Sequence, residues 1–160
     1  MKGCFVLLQK KINILRFAVI LGLYLLAGFL FNADRLFYEG LNKPLLAPPM
    51  VVYLIGFLAM SVLISVFFTW LIDKYGYNTK TKFSYLLIFL NYIFIFIFQP
   101  LFFGNNLYLG FAAMLFAFTA IFILFIETFL YNKRLSYLLL PVLLWLAYLT
   151  YLCLQLYLLN

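Results

Sequence analysis

The chain has 160 residues, of which 69% are hydrophobic, 22% aromatic and only 9% charged, with a net charge of +7. So few ionisable groups cannot cover the surface of a soluble domain, where the charged share runs near roughly 25%. Composition therefore predicts a single all-α membrane domain over 1–160 with the lipid bilayer as partner, and no nucleic acid, because the basic residues lie between apolar runs and form no patch.

A spanning helix needs about 20 apolar residues to cross a hydrocarbon core roughly 30 Å thick. The first is expected at about 12–31, with Asn13 and Arg16 near its start, where the arginine snorkels to the headgroups. Lys10, Lys11 and Arg16 ahead of an apolar run also suit a signal peptide. Beyond Gly28, however, the chain reads Phe-Leu-Phe-Asn-Ala-Asp with no small-x-small pair, so an uncleaved anchor is expected. The second helix is expected at about 49–72, entered through Pro48 and Pro49, whose missing donors cost nothing at a helix start. From Phe83 to Ile126 there is no charge at all. As one helix that run would be about 66 Å long, twice the membrane, so it must fold back, and Gly104-Asn105-Asn106 is the polar turn inside it. Helix three is thus placed at about 83–103, helix four at about 107–130, and the last uncharged run supplies helix five at about 135–159. The runs are apolar on every side, without the polar back of a soluble helix, so a bundle of five transmembrane helices is expected.

The basic residues alternate by side. Lys2, Lys10, Lys11, Arg16, Lys74, Lys80, Lys82, Lys133 and Arg134 fall on one face of such a bundle, and only Arg35 and Lys43 on the other. The positive-inside rule then predicts a cytoplasmic amino terminus and a carboxy terminus outside. Cys4 and Cys153 lie at opposite ends of the chain and read as ordinary apolar residues rather than a disulfide framework or metal site.

Lipid tails give apolar side chains no preference for one another, so helix contacts rely on small and polar residues. Helix four offers Gly110, Ala113, Ala117 and Ala120; helix one Ala18 and Gly22; helix two Ser61 and Ser65; helix three has no Gly or Ala between 83 and 103. Glu127, near Lys133 and Arg134, is expected to form an interfacial ion pair. Asn91 and Gln99 either line one cavity or bond neighbouring helices, the second being the simpler reading. The segment between helices one and two, with Pro44, Pro48 and Pro49, is expected to be a stiff, non-helical cap over the bundle.

The same segment carries a family resemblance. Tyr38, Leu41, Lys43, Pro44, Pro48 and Pro49 match at unbroken spacing the first loop of the TspO/MBR family, the translocator or tryptophan-rich sensory proteins. Pro100, Phe102, Phe103 and Gly104 resemble the end of that family's third helix, and Pro141, Leu143, Trp145 and loosely Tyr148 the start of its fifth. The chain looks like a divergent, tryptophan-poor member: family tryptophans correspond here to Phe37, Leu46, Val51 and Phe57, leaving Trp70, read as an interfacial anchor, and Trp145. The family's helix-three asparagine falls at Ile95, with Asn91 one turn earlier as a substitute, and a late helix-five asparagine becomes Cys153.

What the resemblance implies is a receptor- or transport-like protein of a bacterial cell membrane. It would bind flat apolar ligands, tetrapyrroles such as protoporphyrin among them, in a pocket under the first loop. The candidate ligand-binding residues are Tyr24, Arg35, Tyr38, Lys43, Pro44, Phe57, Asn91, Phe103, Trp145 and Tyr148. The aromatic members offer faces for stacking. Arg35 and Lys43 are candidates to meet propionate carboxylates, or else pair with Asp34 or Glu39 and with lipid phosphate. The chain has no histidine, so imidazole ligation of haem or zinc is excluded; no cofactor is expected, and a tetrapyrrole ligand would be metal-free. The alternatives are a porphyrin-degrading membrane enzyme, disfavoured because one tryptophan implicated in relatives is replaced by Val51, and a transporter or complex subunit for another lipophilic metabolite. The resemblance also implies a homodimer, for which the bulky third helix gives no independent support.

Overall fold

A computed structural model describes the backbone of residues 2–29 and 35–160 and the side chains of 12–28 and 36–160. Among the described residues all regular structure is helical. The elements are α1 (Lys2–Phe29), α2 (Arg35–Gly40), α3 (Met50–Tyr75), α4 (Lys82–Phe103), α5 (Leu107–Tyr131), α6 (Lys133–Ser136), a 3₁₀ turn (Tyr137–Leu139) and α7 (Leu140–Leu159). Among the described residues four stretches are long and apolar enough to cross a membrane: Met50–Tyr75, Lys82–Phe103, Leu107–Tyr131 and the run Lys133–Leu159; Ile12–Gly28 of α1 is a shorter apolar stretch. The chain is an integral membrane protein.

The long uncharged run folds back where its polar turn predicts. Asn105 takes a left-handed backbone, φ 64°, and Asn106 caps α5 by accepting from Leu109 N–H at 3.2 Å. Two expectations need correction. The first loop is not wholly non-helical: residues 35–40 contain no proline and form α2, and only 41–49, where the prolines lie, is irregular. The last helix is not continuous either. Asn132 accepts from Leu135 N–H at 3.2 Å and starts a fresh turn. Pro141 then sits in the first turn of α7, so the residues ahead of it tighten into 3₁₀ geometry instead of running on as one α-helix.

The helices close a ring. α1 packs on α3, α3 on α7, α7 on α5, α5 on α4, and α4 back on α1. Inside lie Ile64, Phe67, Leu71, Ile121, Leu124 and Leu146, all fully buried, while Leu15, Phe116 and Leu144 face outward. An apolar exterior on several helices is stable only in hydrocarbon, where backbone and hydroxyl groups must find partners inside the bundle. They do so locally: Ser61 Oγ donates to Phe57 O at 2.9 Å, Ser65 Oγ to Ser61 O at 2.7 Å and Thr69 Oγ1 to Ser65 O at 2.8 Å, a ladder up α3.

The small stripe of α5 behaves as expected. Gly110, Ala113, Ala117 and Ala120 are all buried, and Phe102 of α4 presses on Gly110. Ala18 and Gly22 do not: both are exposed, and Ala27 and Gly28 make the close contact of α1 instead. At the end carrying Lys74, Lys82, Lys133 and Arg134, Glu127 pairs with none of these cations. Its Oε2 accepts from the buried Ser84 Oγ at 2.8 Å, and Ser84 Oγ also meets Tyr131 OH at 3.1 Å. Lys74, Lys82, Lys133 and Arg134 are all exposed, and long side chains gain little from being fixed in an ion pair at a wet surface.

Candidate functional site

At the opposite end, α2 and residues 41–49 form a cap over the tops of α3, α4 and α7. Three anchors hold it. Tyr38 OH donates to Pro48 O at 2.9 Å, folding the cap onto itself. Tyr148 OH of α7 donates to Leu46 O at 2.7 Å. The Asn160 side chain accepts from Asn42 N–H at 2.9 Å through Oδ1 and donates to Asn42 O at 3.1 Å through Nδ2. Pro44 contributes shape: its carbonyl accepts from Ala47 N–H at 2.9 Å and closes the turn that carries Leu45 and Leu46.

Beneath the cap is a small aromatic cavity of about 20 Å³. Tyr38 closes it from α2, Tyr53 from α3, Phe98, Phe102 and Phe103 from α4, and Cys153 from α7. Phe37 rests edge-on against Phe102 and Phe103, with centroids 6.2 and 6.3 Å away. The space is water-sized, far below a drug-sized pocket of about 300 Å³ or more. On the flank of the cap a larger groove of about 380 Å³ runs past Tyr38, Glu39, Lys43, Val51 and Leu54. Lys43 Nζ lies over the Tyr38 ring, 4.6 Å from its centroid, a cation–π contact that turns the ammonium toward this groove. Burial, and after it the neighbouring Tyr148 and Cys153, push the Tyr38 phenol above its ordinary range, so it stays a neutral donor.

Apart from Arg35, the predicted residues divide into three groups. Tyr38, Lys43, Pro44, Phe103 and Tyr148 belong to the cap or the cavity below it. Trp145, on the α3–α7 seam, stacks obliquely on Tyr148 at 5.6 Å and packs against Gly56, whose missing side chain makes the room. Its buried Nε1 has no hydrogen-bond partner among the described residues, nor has Oε1 of the buried Gln99, whose Nε2 reaches Tyr53 OH at 3.4 Å. Such atoms in a native interior call for a reason.

Tyr24, Asn91 and Phe57 lie elsewhere. Phe57 is buried against Gly28 of α1. Tyr24 OH donates to Asn91 Oδ1 at 3.1 Å, and Asn91 Nδ2 donates to Ala117 O at 3.0 Å, so Asn91 ties α1, α4 and α5 together and does not line the cavity. The Arg35 side chain is outside the described residues, and so is any pairing with Asp34. Sequence reasoning does not reach Tyr53 or Phe98, and it marks Gln99 only as a polar group in the membrane and Phe102 only as part of the helix-three match, not as ligand-binding candidates. The local hint is Gln99, an amide in an apolar helix immediately before Pro100.

The sequence matches the TspO/MBR family over residues 16–158. Among curated proteins, the tryptophan-rich protein TspO of Bacillus cereus (strain ATCC 14579) is 33% identical to it, across 95% of this chain and 99% of the relative.

Proposed function

Because this chain belongs to the TspO/MBR family, we propose that it is a receptor- or transport-like protein that binds flat apolar ligands beneath its cap, metal-free tetrapyrroles such as protoporphyrin among them. The observation that carries the reading is the convergence of six aromatic or thiol side chains from four helices under an irregular, proline-bearing segment. Aromatic faces are what a planar macrocycle stacks on. Trp145 and Gln99 lie behind the closed cavity, against Tyr148 and Tyr53, and their unpartnered indole N–H and amide oxygen are a donor and an acceptor that an opened site would offer to the macrocycle's polar edge. Lys43, turned into the flank groove, is placed to take a propionate carboxylate.

The closed cavity is too small for a porphyrin, so binding in this reading requires the cap to lift. Each anchor is one or two hydrogen bonds of about 1 kcal/mol net, a cost that ligand burial offsets. We propose also that the chain crosses the bilayer five times, with α1 as the fifth crossing, in a bacterial cell membrane. The basic end would face the cytoplasm and the cap and carboxy terminus the outside, as the distribution of Lys and Arg favours.

Titration of the purified protein with protoporphyrin tests the ligand. Saturable quenching of tryptophan fluorescence is expected, without pigment loss under light. Lys43→Ala should weaken it about 5- to 10-fold, the worth of one exposed charge-assisted contact. Unsaturable quenching that is indifferent to Lys43→Ala and Trp145→Phe would reject the reading. Bleaching of the pigment would point to the enzyme instead.

A further inference from the structure

Two recesses meet at the basic end of the bundle, on the far end of α4 from the cap. One, of about 510 Å³, is bordered by Tyr77, Thr79, Lys82 and Leu86. The other, of about 170 Å³, runs between α1 and α4 past Ile20, Leu23, Phe89 and Tyr92. Tyr85 is a wall of both. It is well held: its hydroxyl donates to Gly76 O at 3.0 Å, and its ring packs on Phe68 at 5.4 Å and Tyr77 at 5.5 Å.

The two helices present matched stripes. On α1, Arg16, Ile20, Leu23 and Tyr24 recur at i, i+4, i+7 and i+8; on α4, Lys82, Tyr85, Phe89 and Tyr92 recur at i, i+3, i+7 and i+10. Each stripe opens with a cation and continues apolar. Tyr24, eight residues after Arg16, bonds Asn91, nine residues after Lys82, and Ile20 shares the recess with Tyr85, so the two helices run side by side and both cations head the groove at the same end. Below them Leu86 is 49% and Phe89 59% exposed. A groove with paired cations at the membrane surface and a greasy channel beneath has the shape and charge of an anionic amphiphile.

We propose that this groove is a binding site for one anionic phospholipid, with its headgroup phosphate between Arg16 and Lys82, Tyr77 and Thr79 beside it, and one acyl chain lying between α1 and α4. The rival occupant is a second copy of the chain. Close approach of helices in lipid depends on small residues, and the exposed residues of this face are large: Leu23, Leu86 and Phe89. At about 100° per residue, the exposed Ala18 and Gly22 point to the opposite side of α1 from Ile20 and Tyr24, and α4 has no Gly or Ala between 83 and 103. The site is remote from the cap and does not rest on the ligand reading above.

Native mass spectrometry of the full chain from micelles holding equal phosphatidylglycerol and phosphatidylcholine tests it. One phosphatidylglycerol per chain should be retained. R16Q/K82Q should retain about 10-fold less, whereas K133Q/R134Q, which removes two cations from the same end, should match the parent. Equal retention of the two lipids, persistence in R16Q/K82Q, or an equal loss in K133Q/R134Q would overturn the proposal. F89C, which keeps both cations, should be shielded from a thiol reagent by phosphatidylglycerol and not by phosphatidylcholine; its ready oxidation to a disulfide-linked dimer would place a second copy in the groove and overturn the site.

Discussion

Asn91→Leu should lower the stability of the bundle by about 2 kcal/mol, measured as loss of helical signal or tertiary fluorescence on titration with denaturing detergent. The size follows from what the leucine leaves behind. Tyr24 is buried, and without Asn91 Oδ1 its hydroxyl has no acceptor in the described surroundings. A buried polar group left unpaired costs about 1–3 kcal/mol. The bond from Asn91 Nδ2 to Ala117 O disappears as well, and interhelical bonds of this kind average about 0.6 kcal/mol in membrane proteins. Tyr24→Phe removes only the donor and should cost less, about 1 kcal/mol. Tyr24→Phe with Asn91→Leu should therefore cost clearly less than the two singles added together, because the orphaned hydroxyl is gone. Strict additivity would mean that the two side chains do not depend on each other.

Gly56→Ala should destabilise by about 1–3 kcal/mol and shift the emission of Trp145. A methyl at Gly56 collides with Cζ2, Cη2 and Cε2 of the Trp145 ring, so either the indole rotates away or α3 and α7 move apart. Overpacking of this kind costs about 1–3 kcal/mol. Both escapes disturb the ring that rests on Tyr148, and Tyr148 anchors the cap. The variant should therefore also weaken protoporphyrin binding. Gly22→Ala is the control: nothing lies within 4 Å of a side chain added there, so it should not destabilise, helix propensity should favour it by up to about 1 kcal/mol, and the emission should not change.

Much of the fold was legible because lipid imposes few rules and the chain obeys them plainly. An apolar run too long for one crossing had to turn at its lone polar tripeptide, and it turns at Asn105. What escaped was the direction each helix faces. A helix that is apolar all round carries no stripe to say which side is inward, so the small pair Ala18 and Gly22 suggests a contact that Ala27 and Gly28 make instead. The same gap explains the site. Asn91 reads from sequence as a polar group in an apolar helix, yet only tertiary packing shows that it is spent on Tyr24 and Ala117. Tyr53 and Gln99 sit on different helices, far apart in sequence, and nothing local announces that they meet. Motif matching, in contrast, found the cap residues, because the spacing of Tyr38, Lys43, Pro44 and Pro48 is set within one short segment.

The account turns on a cap that must open before a ligand enters, and the rate of entry measures that directly. Tyr148→Phe with Asn160→Ala removes the bonds to Leu46 O and Asn42 while leaving the cavity wall intact. Followed by stopped-flow quenching with protoporphyrin, this variant should associate about 10-fold faster or more, as expected when two or three bonds of about 1 kcal/mol no longer hold the closed state. An association rate equal to that of the parent would contradict a gated pocket under the cap.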